Sequence, residues 1–255
     1  MMENKQEARL WDLAKIAERG IPAATSFLTP EERSYAEEFL TRRSLRYAVF
    51  GGYDEAERTV IVLLPDYMES EYLDWDEFFV PVAVLTSGYV KLSHRSFLGS
   101  LIALGIDRSA LGDILLFDFG AIVFVTPVIA DFLLNKPSPL ERVGADSVKV
   151  TPCNAPPATR EVIASFRRAY EKFTDVVASC RLDCAVSSFA RLSREKAKTA
   201  VSQGAVYLNY REEHRPDLTV AEGDVISIRG VGKFRIESLT MTQKERIRIS
   251  AKRYV

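Results

Sequence analysis

The side chains in this chain best suited to chemistry are cations late in the sequence. Arg194, Lys196, Lys198 and Gln203 fall within one short segment. On a helix turning about 100° per residue, Arg194 and Lys198 share one edge and Lys196 lies on the other. Arg191 precedes this segment, Arg181 opens the one before it, and Arg229 and Lys233 follow. Guanidinium and ammonium groups on a rigid helix, with an amide donor at its end, suit neutralising contacts to nucleic-acid phosphates. A lone helix of this kind reads more readily as an ordinary solvated face, so the elements around it decide the reading.

Those elements form a recognisable order. Leu182, Ala185, Val186 and Phe189 make one apolar stripe at helical spacing. Ser193 can cap a second helix over 194–203, whose Ala197, Ala200 and Val201 face inward, and Gly204 suits the left-handed residue that ends it. Short strands follow to about Ile236. Arg181–Asp183, Ser193–Arg194, Gln203–Asn209 and Val220–Ile226 together resemble the S-four-like RNA-binding domain, named after ribosomal small-subunit protein four. Where that domain commonly has Asn-Gly, this chain has Asn209-Tyr210 followed by REEHRPD, which points to a longer hairpin.

Charge is distributed to match. The chain as a whole has a net charge of −1. Residues 181–255 carry 15 Lys and Arg against 9 Asp and Glu, whereas residues 1–180 carry 19 against 26. A basic C-terminal part on an acidic body suits a protein that presents one face to RNA. The tail 242–254 alternates charge with apolar residues, so it reads as a strand. Its Lys244, Arg246 and Arg248 would form either a protective charged edge or an RNA-facing ledge.

The remaining composition is that of a soluble globular protein, 47% hydrophobic and 27% charged. Cys153, Cys180 and Cys184 make neither a disulfide framework nor a zinc set, because His94 and His214 are the only histidines. Reduced thiols, no signal peptide and no apolar run long enough to span a bilayer predict a cytoplasmic protein without membrane insertion. No metal site and no cofactor are expected.

The body reads as α+β in several parts. Leu10, Leu13, Ala14 and Ala17 mark a first helix, and Thr29-Pro30-Glu31-Glu32 starts a second running to about Arg43. Apolar runs at 45–50 and 59–64 flank a Gly51-Gly52 turn and predict a β-hairpin rather than a phosphate loop. Residues 79–151 then read strand, helix, strand, strand, helix, strand, the ferredoxin-like order shared by RNA-recognition modules. Phe117, Phe119 and Phe124 are aromatic candidates on that sheet, with core packing favoured for Phe124 and no base-stacking motif visible. The expected domains are a helical and hairpin region over 1–76, a ferredoxin-like domain over 77–157, a helical linker over 158–180 and an S-four-like domain with basic tail over 181–255.

The segment His94-Arg95-Ser96-Phe97-Leu98-Gly99, then Leu104-Gly105-Ile106-Asp107-Arg108 and Gly112-Asp113-Ile114, resembles the middle of the YlmH family. Phe27-Leu28-Thr29-Pro30 and Phe50-Gly51-Gly52-Tyr53 fit the same bacterial family, so the resemblance spans nearly the whole chain. His94, Arg95 and Arg108 are secondary RNA candidates, or else brace a helix against the Gly112-Asp113 turn. The family resemblance implies an RNA-binding protein of translation. It would bind the large ribosomal subunit through ribosomal RNA and peptidyl-tRNA and help rescue stalled nascent chains. The family is often encoded among cell-division genes, which leaves a division-associated interaction protein as an alternative. An RNA-modification factor is the other, although the residues offer no paired carboxylates beside a base, no nucleophile motif and no glycine-rich cofactor loop. The sequence therefore reads as non-enzymatic.

Overall fold

A computed structural model describes residues 2–87 and 92–254, with side chains from residue 6 onward. The chain is mixed α+β and divides into two compact units, residues 1–166 and 167–255.

The first unit begins with α1 (Met2–Glu18), β1 (Ala23–Ala24) and α2 (Pro30–Arg42). Thr29 and Glu32 form the reciprocal capping box that the sequence suggests at the start of α2. β2 (Tyr47–Phe50) and β3 (Val60–Leu63) make the expected hairpin, to which β1 adds a third strand beside β3. β4 (Val80–Thr86), α3 (His94–Ala103), β5 (Leu111–Phe117), β6 (Gly120–Val125) and α4 (Pro127–Leu134) follow. β7 (Arg142–Val143), β8 (Asp146–Pro152) and α5 (Arg160–Ser165) complete the unit. The second sheet has the order β5-β6-β4-β8-β7, with every named pair antiparallel.

That sheet is buried on both faces. Val82, Val84, Val123 and Val125 pack with Phe97 and Leu101 of α3 and with Ala130 and Leu133 of α4. Ala83, Leu115, Ile122 and Phe124 point the other way, onto Phe27, Tyr53, Val60, Val62 and Phe79. The regions expected as separate domains over 1–76 and 77–157 therefore share a hydrophobic core. Gly52, at φ +97°, lies against the Phe124 ring, and an added Cβ would sit 2.1 Å from its Cε1. The Gly51-Gly52 turn is a packing device.

The second unit contains β9 (Tyr170–Val177), α6 (Leu182–Phe189), α7 (Arg194–Ser202) and β10 (Val206–Leu208). It ends with β11 (Arg211–Glu212), β12 (Val225–Ile228), β13 (Gly232–Met241) and β14 (Ile247–Tyr254). The sheet order is β11-β10-β12-β13-β14-β9. Both helices bury their apolar stripes on one face, against Val206, Ile226, Ile228, Phe234, Ile236 and Ile249.

Three expectations change here. The helical linker over 158–180 is a short helix followed by strand β9, whose residues pair with β14 along its full length. Tyr-Glu-Lys-Phe-Thr-Asp-Val-Val alternates and carries β-branched and aromatic residues, so cross-strand pairing wins. The basic tail is an interior strand between β13 and β9, not an edge. The hairpin after β10 is not lengthened: Leu208 pairs with Arg211, leaving a two-residue turn of Asn209 and Tyr210, both at positive φ.

Candidate nucleic-acid interface

Ser193 caps α7 by accepting from the Lys196 amide, and Gly204 takes φ +71° just past its end. The short link between α6 and α7 turns through Arg191, which is left-handed at φ +52°. These local choices fix where the cations project.

A carboxylate organises the base of the site. Asp183, in the first turn of α6, is fully buried, yet it receives Arg181 Nε and Nη2 at 3.1 Å each. Arg194 Nε lies 3.5 Å from Oδ2, the oxygen that also accepts from Arg181 Nη2. Burial pushes the Asp183 carboxyl up, but the hydrogen bonds and charge of Arg181, with the charge of Arg194, outweigh it and hold its pKa below the ordinary value. The Arg181 hydrogen bond to Asp183 in turn raises the arginine's own pKa. Arg181 and Arg194 are thus aimed by a shared buried anion, and each keeps N–H groups beyond those it gives to Asp183.

Arg191, Arg194 and Arg246 line one open depression of about 320 Å³, together with Asp175, Ser187 and Ser188. Asp175 accepts from the Ser188 hydroxyl at 2.6 Å, and Ser187 Oγ donates to the Leu192 carbonyl. Arg246 Nη2 reaches the Val176 carbonyl at 3.5 Å. Three guanidinium groups against one carboxylate give the depression an excess of positive charge. Such forked donors match phosphate oxygens. Lys196 is exposed on α7, Lys198 pairs with Glu195 at 2.9 Å, and Gln203 stands exposed at the helix end.

The other sequence candidates lie elsewhere. Arg229, in the turn after β12, gives Nη2 to the Tyr207 hydroxyl at 3.3 Å. Lys233 alternates with buried Phe234 on β13 and therefore points to the sheet face opposite the helices. Arg248 does the same between Ile247 and Ile249, and Lys244 sits in the turn before β14. In the first unit, His94 and Arg95 are exposed in the first turn of α3. Arg108 instead braces its own unit, with Nη1 donating to the Leu111 and Gly112 carbonyls at 2.7 and 3.2 Å. Burial, with the nearby Arg58 charge, pulls its pKa down to about 10. Lys91, a further cation beside them in the sequence, lies outside the described residues.

Sequence reasoning missed Asp183 as the hub, Asp175, and the entry of Arg246 into the helix-side depression. The signal for the first was present, since Arg181 and Asp183 flank one residue at a helix start. The last two depend on β9 pairing with β14, which local patterns alone do not reveal. Of the sheet aromatics singled out in the first unit, Phe124 is buried, and Phe117 and Phe119, both half-buried, stack on each other at 4.9 Å. Of the cysteines, Cys153 and Cys184 are buried and Cys180 half-buried, all as free thiols. Burial raises the Cys153 pKa to about 11. Among the described residues no group of three His, Cys, Asp or Glu is placed to hold a metal, and no helix is long and apolar enough to cross a membrane.

Comparison with known proteins places this geometry in context. Residues 80–156 match the family model described as "Putative RNA-binding domain in YlmH". "Ribosome-associated protein quality control protein P2" of Bacillus subtilis is 31% identical over 234 residues, which covers 90% of this chain and 86% of that protein. The solved structure of "Cell division protein ylmH" from Streptococcus pneumoniae aligns at 19% identity with a TM-score of 0.48, over 60% of this chain and 92% of that one. Near-complete alignment with the Bacillus protein and the family match across the central sheet agree: the chain belongs to the YlmH family.

Proposed function

We propose that this protein is a non-catalytic RNA-binding factor that acts on the ribosome. In this reading it engages the large subunit, through ribosomal RNA and peptidyl-tRNA, during quality control of stalled nascent chains. The central sheet of the first unit is assigned as ferredoxin-like and the second unit as S-four-like. The observation that carries the proposal is the convergence of Arg191, Arg194 and Arg246 on one depression beside the exposed Lys196. The name of the Bacillus relative supports ribosome association.

Mechanistically, binding suffices. A factor that holds a tRNA in one position shifts its population between positions by the difference in affinity, with no bond made or broken. Arg181 and Arg194 are pre-aimed by Asp183, so less ordering accompanies their contact with a phosphate. Arg191 and Lys196 contribute exposed surface charge, which steers encounter.

Co-sedimentation with separated ribosomal subunits tests this, with Arg191→Glu/Lys196→Glu as the variant. Those positions are exposed and lie outside the Asp183 network, so folding should survive. The wild type is expected to travel with the large subunit in a salt-sensitive way. Isolated RNA binding by the variant should show a log–log salt slope shallower by about 0.7–0.9 for each phosphate contact removed. A folded wild type that joins neither subunit, free or tRNA-loaded, would overturn the proposal.

A further inference from the structure

The depression lined by Arg191, Arg194 and Arg246 has two chemically different sides. The guanidinium groups can only donate hydrogen bonds. Across from them in character stand Asp175, Ser187 and Ser188, which can offer a ligand only acceptors. The Ser188 hydroxyl gives its proton to Asp175 at 2.6 Å, and the Ser187 hydroxyl gives its own to the Leu192 carbonyl at 2.7 Å.

Asp175 itself is only partly used. Its Oδ2 accepts from Ser188, and its Oδ1 accepts from the Val176 N–H at 2.7 Å. A carboxylate has room for about four hydrogen bonds over its two oxygens, so each keeps an open lone pair. Among the described residues no lysine or arginine pairs with Asp175, although three guanidinium groups line the same depression.

A brace between β9 and α6 would account for the Ser188 contact. A brace needs no charge, however, and a neutral acceptor would hold that hydroxyl as well. An anion beside a phosphate site repels the phosphate, so its presence there calls for a donor that arrives with the phosphate.

We propose, on the reading of this depression as an RNA contact, that Asp175 selects RNA over DNA. It does so by accepting a hydrogen bond from a ribose 2′-hydroxyl while Arg191, Arg194 and Arg246 hold the adjacent phosphate. In RNA the 2′-hydroxyl and the 3′-phosphate are neighbours on one sugar. A donor and an anion therefore arrive together, which is the pairing that the two sides demand. DNA brings the phosphate alone and meets the carboxylate with repulsion. Base amines also donate, but DNA carries them too.

The test is fluorescence anisotropy of the full chain with a labelled RNA hairpin and with the same hairpin carrying 2′-fluoro in place of every 2′-hydroxyl. Fluorine keeps the charge, the bases and the A-form shape, and it removes the donor. Asp175 is exposed on the edge strand β9, so its replacement leaves the core intact. Wild type should favour the hydroxyl hairpin roughly tenfold, as expected for one hydrogen bond to a charged acceptor. Asp175→Ala should bring the two affinities within about twofold and bind the fluoro hairpin at least as tightly as wild type does, because an anion beside the phosphate is gone. Ser188→Ala breaks the brace but keeps the carboxylate, and should retain the preference. Equal affinities in wild type, a preference that survives Asp175→Ala, or one lost equally in Ser188→Ala overturns the proposal and leaves the RNA reading standing. Wild type that binds neither hairpin overturns the RNA reading of the depression, and the role of Asp175 with it.

Discussion

In the five-stranded sheet of the first unit every residue of β6, Gly-Ala-Ile-Val-Phe-Val, is buried. One set of side chains meets α3 and α4, and the other meets the hairpin region. In the six-stranded sheet of the second unit, β14 reads Ile-Arg-Ile-Ser-Ala-Lys-Arg-Tyr and buries Ile249 and Ala251, while Arg248 and Lys252 turn away. A strand covered on both sides can be apolar at every position, whereas one covered on a single side alternates. The first arrangement spends its aromatics on cohesion. The second places tyrosines and cations on the side of the sheet opposite its helices. The RNA contacts proposed above fall on the second unit, whereas the family model described as an RNA-binding domain matches residues 80–156 of the first.

The sharpest way to break this contrast is to remove one ring from each sheet. Phe124 stacks on Tyr53, meets Phe79 edge-on and lies against Gly52. Phe124→Ala should cost about 4 kcal/mol, since both the buried area and the packing around the cavity are lost. Tyr254→Ala, on a surface, should cost no more than about 1 kcal/mol. Denaturant titration measures both, and comparable losses would mean that the sheet face opposite the helices is a structural one.

Asp183 gives the next largest effect and contrasts the two sides of the second unit. Asp183→Asn keeps the shape but removes the charge that faces Arg181 and Arg194, at a cost of about 3 kcal/mol at neutral pH. The sign of its pH dependence follows from the depressed pKa. The folded carboxyl ionises more readily than an unfolded aspartate near 3.9, so its stabilisation is full above about pH 4–5. It is lost as pH falls through the folded value. The stability gap between wild type and Asp183→Asn should therefore close in acid, and a gap independent of pH would show that Asp183 acts through shape alone.

Much of this was legible in the sequence. The stripes of α6 and α7, the capping box at Thr29 and the run of elements from β4 to β8 follow from spacing and caps that act within one segment. Strand β9 was not, because Ile163, Phe166, Tyr170 and Phe173 also fit a helical stripe. Only pairing with β14, more than seventy residues later in the chain, selects the strand. The same long-range pairing brings Arg246 beside Arg191 and Arg194, and it turns a tail read as an edge into the middle of a sheet. Charge content located the basic region, but alternation on β13 and β14 divides it between two faces. Lys233 and Arg194 therefore belong to different surfaces.

The smallest effect expected is a gain. Asn209 and Tyr210 close the β10–β11 hairpin with two consecutive left-handed residues, at φ 49° and 67°. Asparagine tolerates that region through local hydrogen bonding, and here its amide oxygen accepts from the Val225 N–H at 2.9 Å while its amide nitrogen donates to Asp224. Tyrosine lacks the short polar side chain that bonds locally in that region, so relief of its Cβ crowding should stabilise Tyr210→Gly by about 1 kcal/mol. Two terms oppose the gain: glycine loses more backbone entropy on folding, and the contact between Lys233 and the ring disappears. Because these partly cancel, the discriminating comparison is Tyr210→Asn, which keeps a side chain tolerant of the left-handed region and forfeits only the ring. If thermal midpoints of both variants equal or exceed that of the wild type, the ring is held at a cost to the fold. If both fall, the contacts of the Tyr210 ring, that with Lys233 among them, outweigh the strain of its backbone.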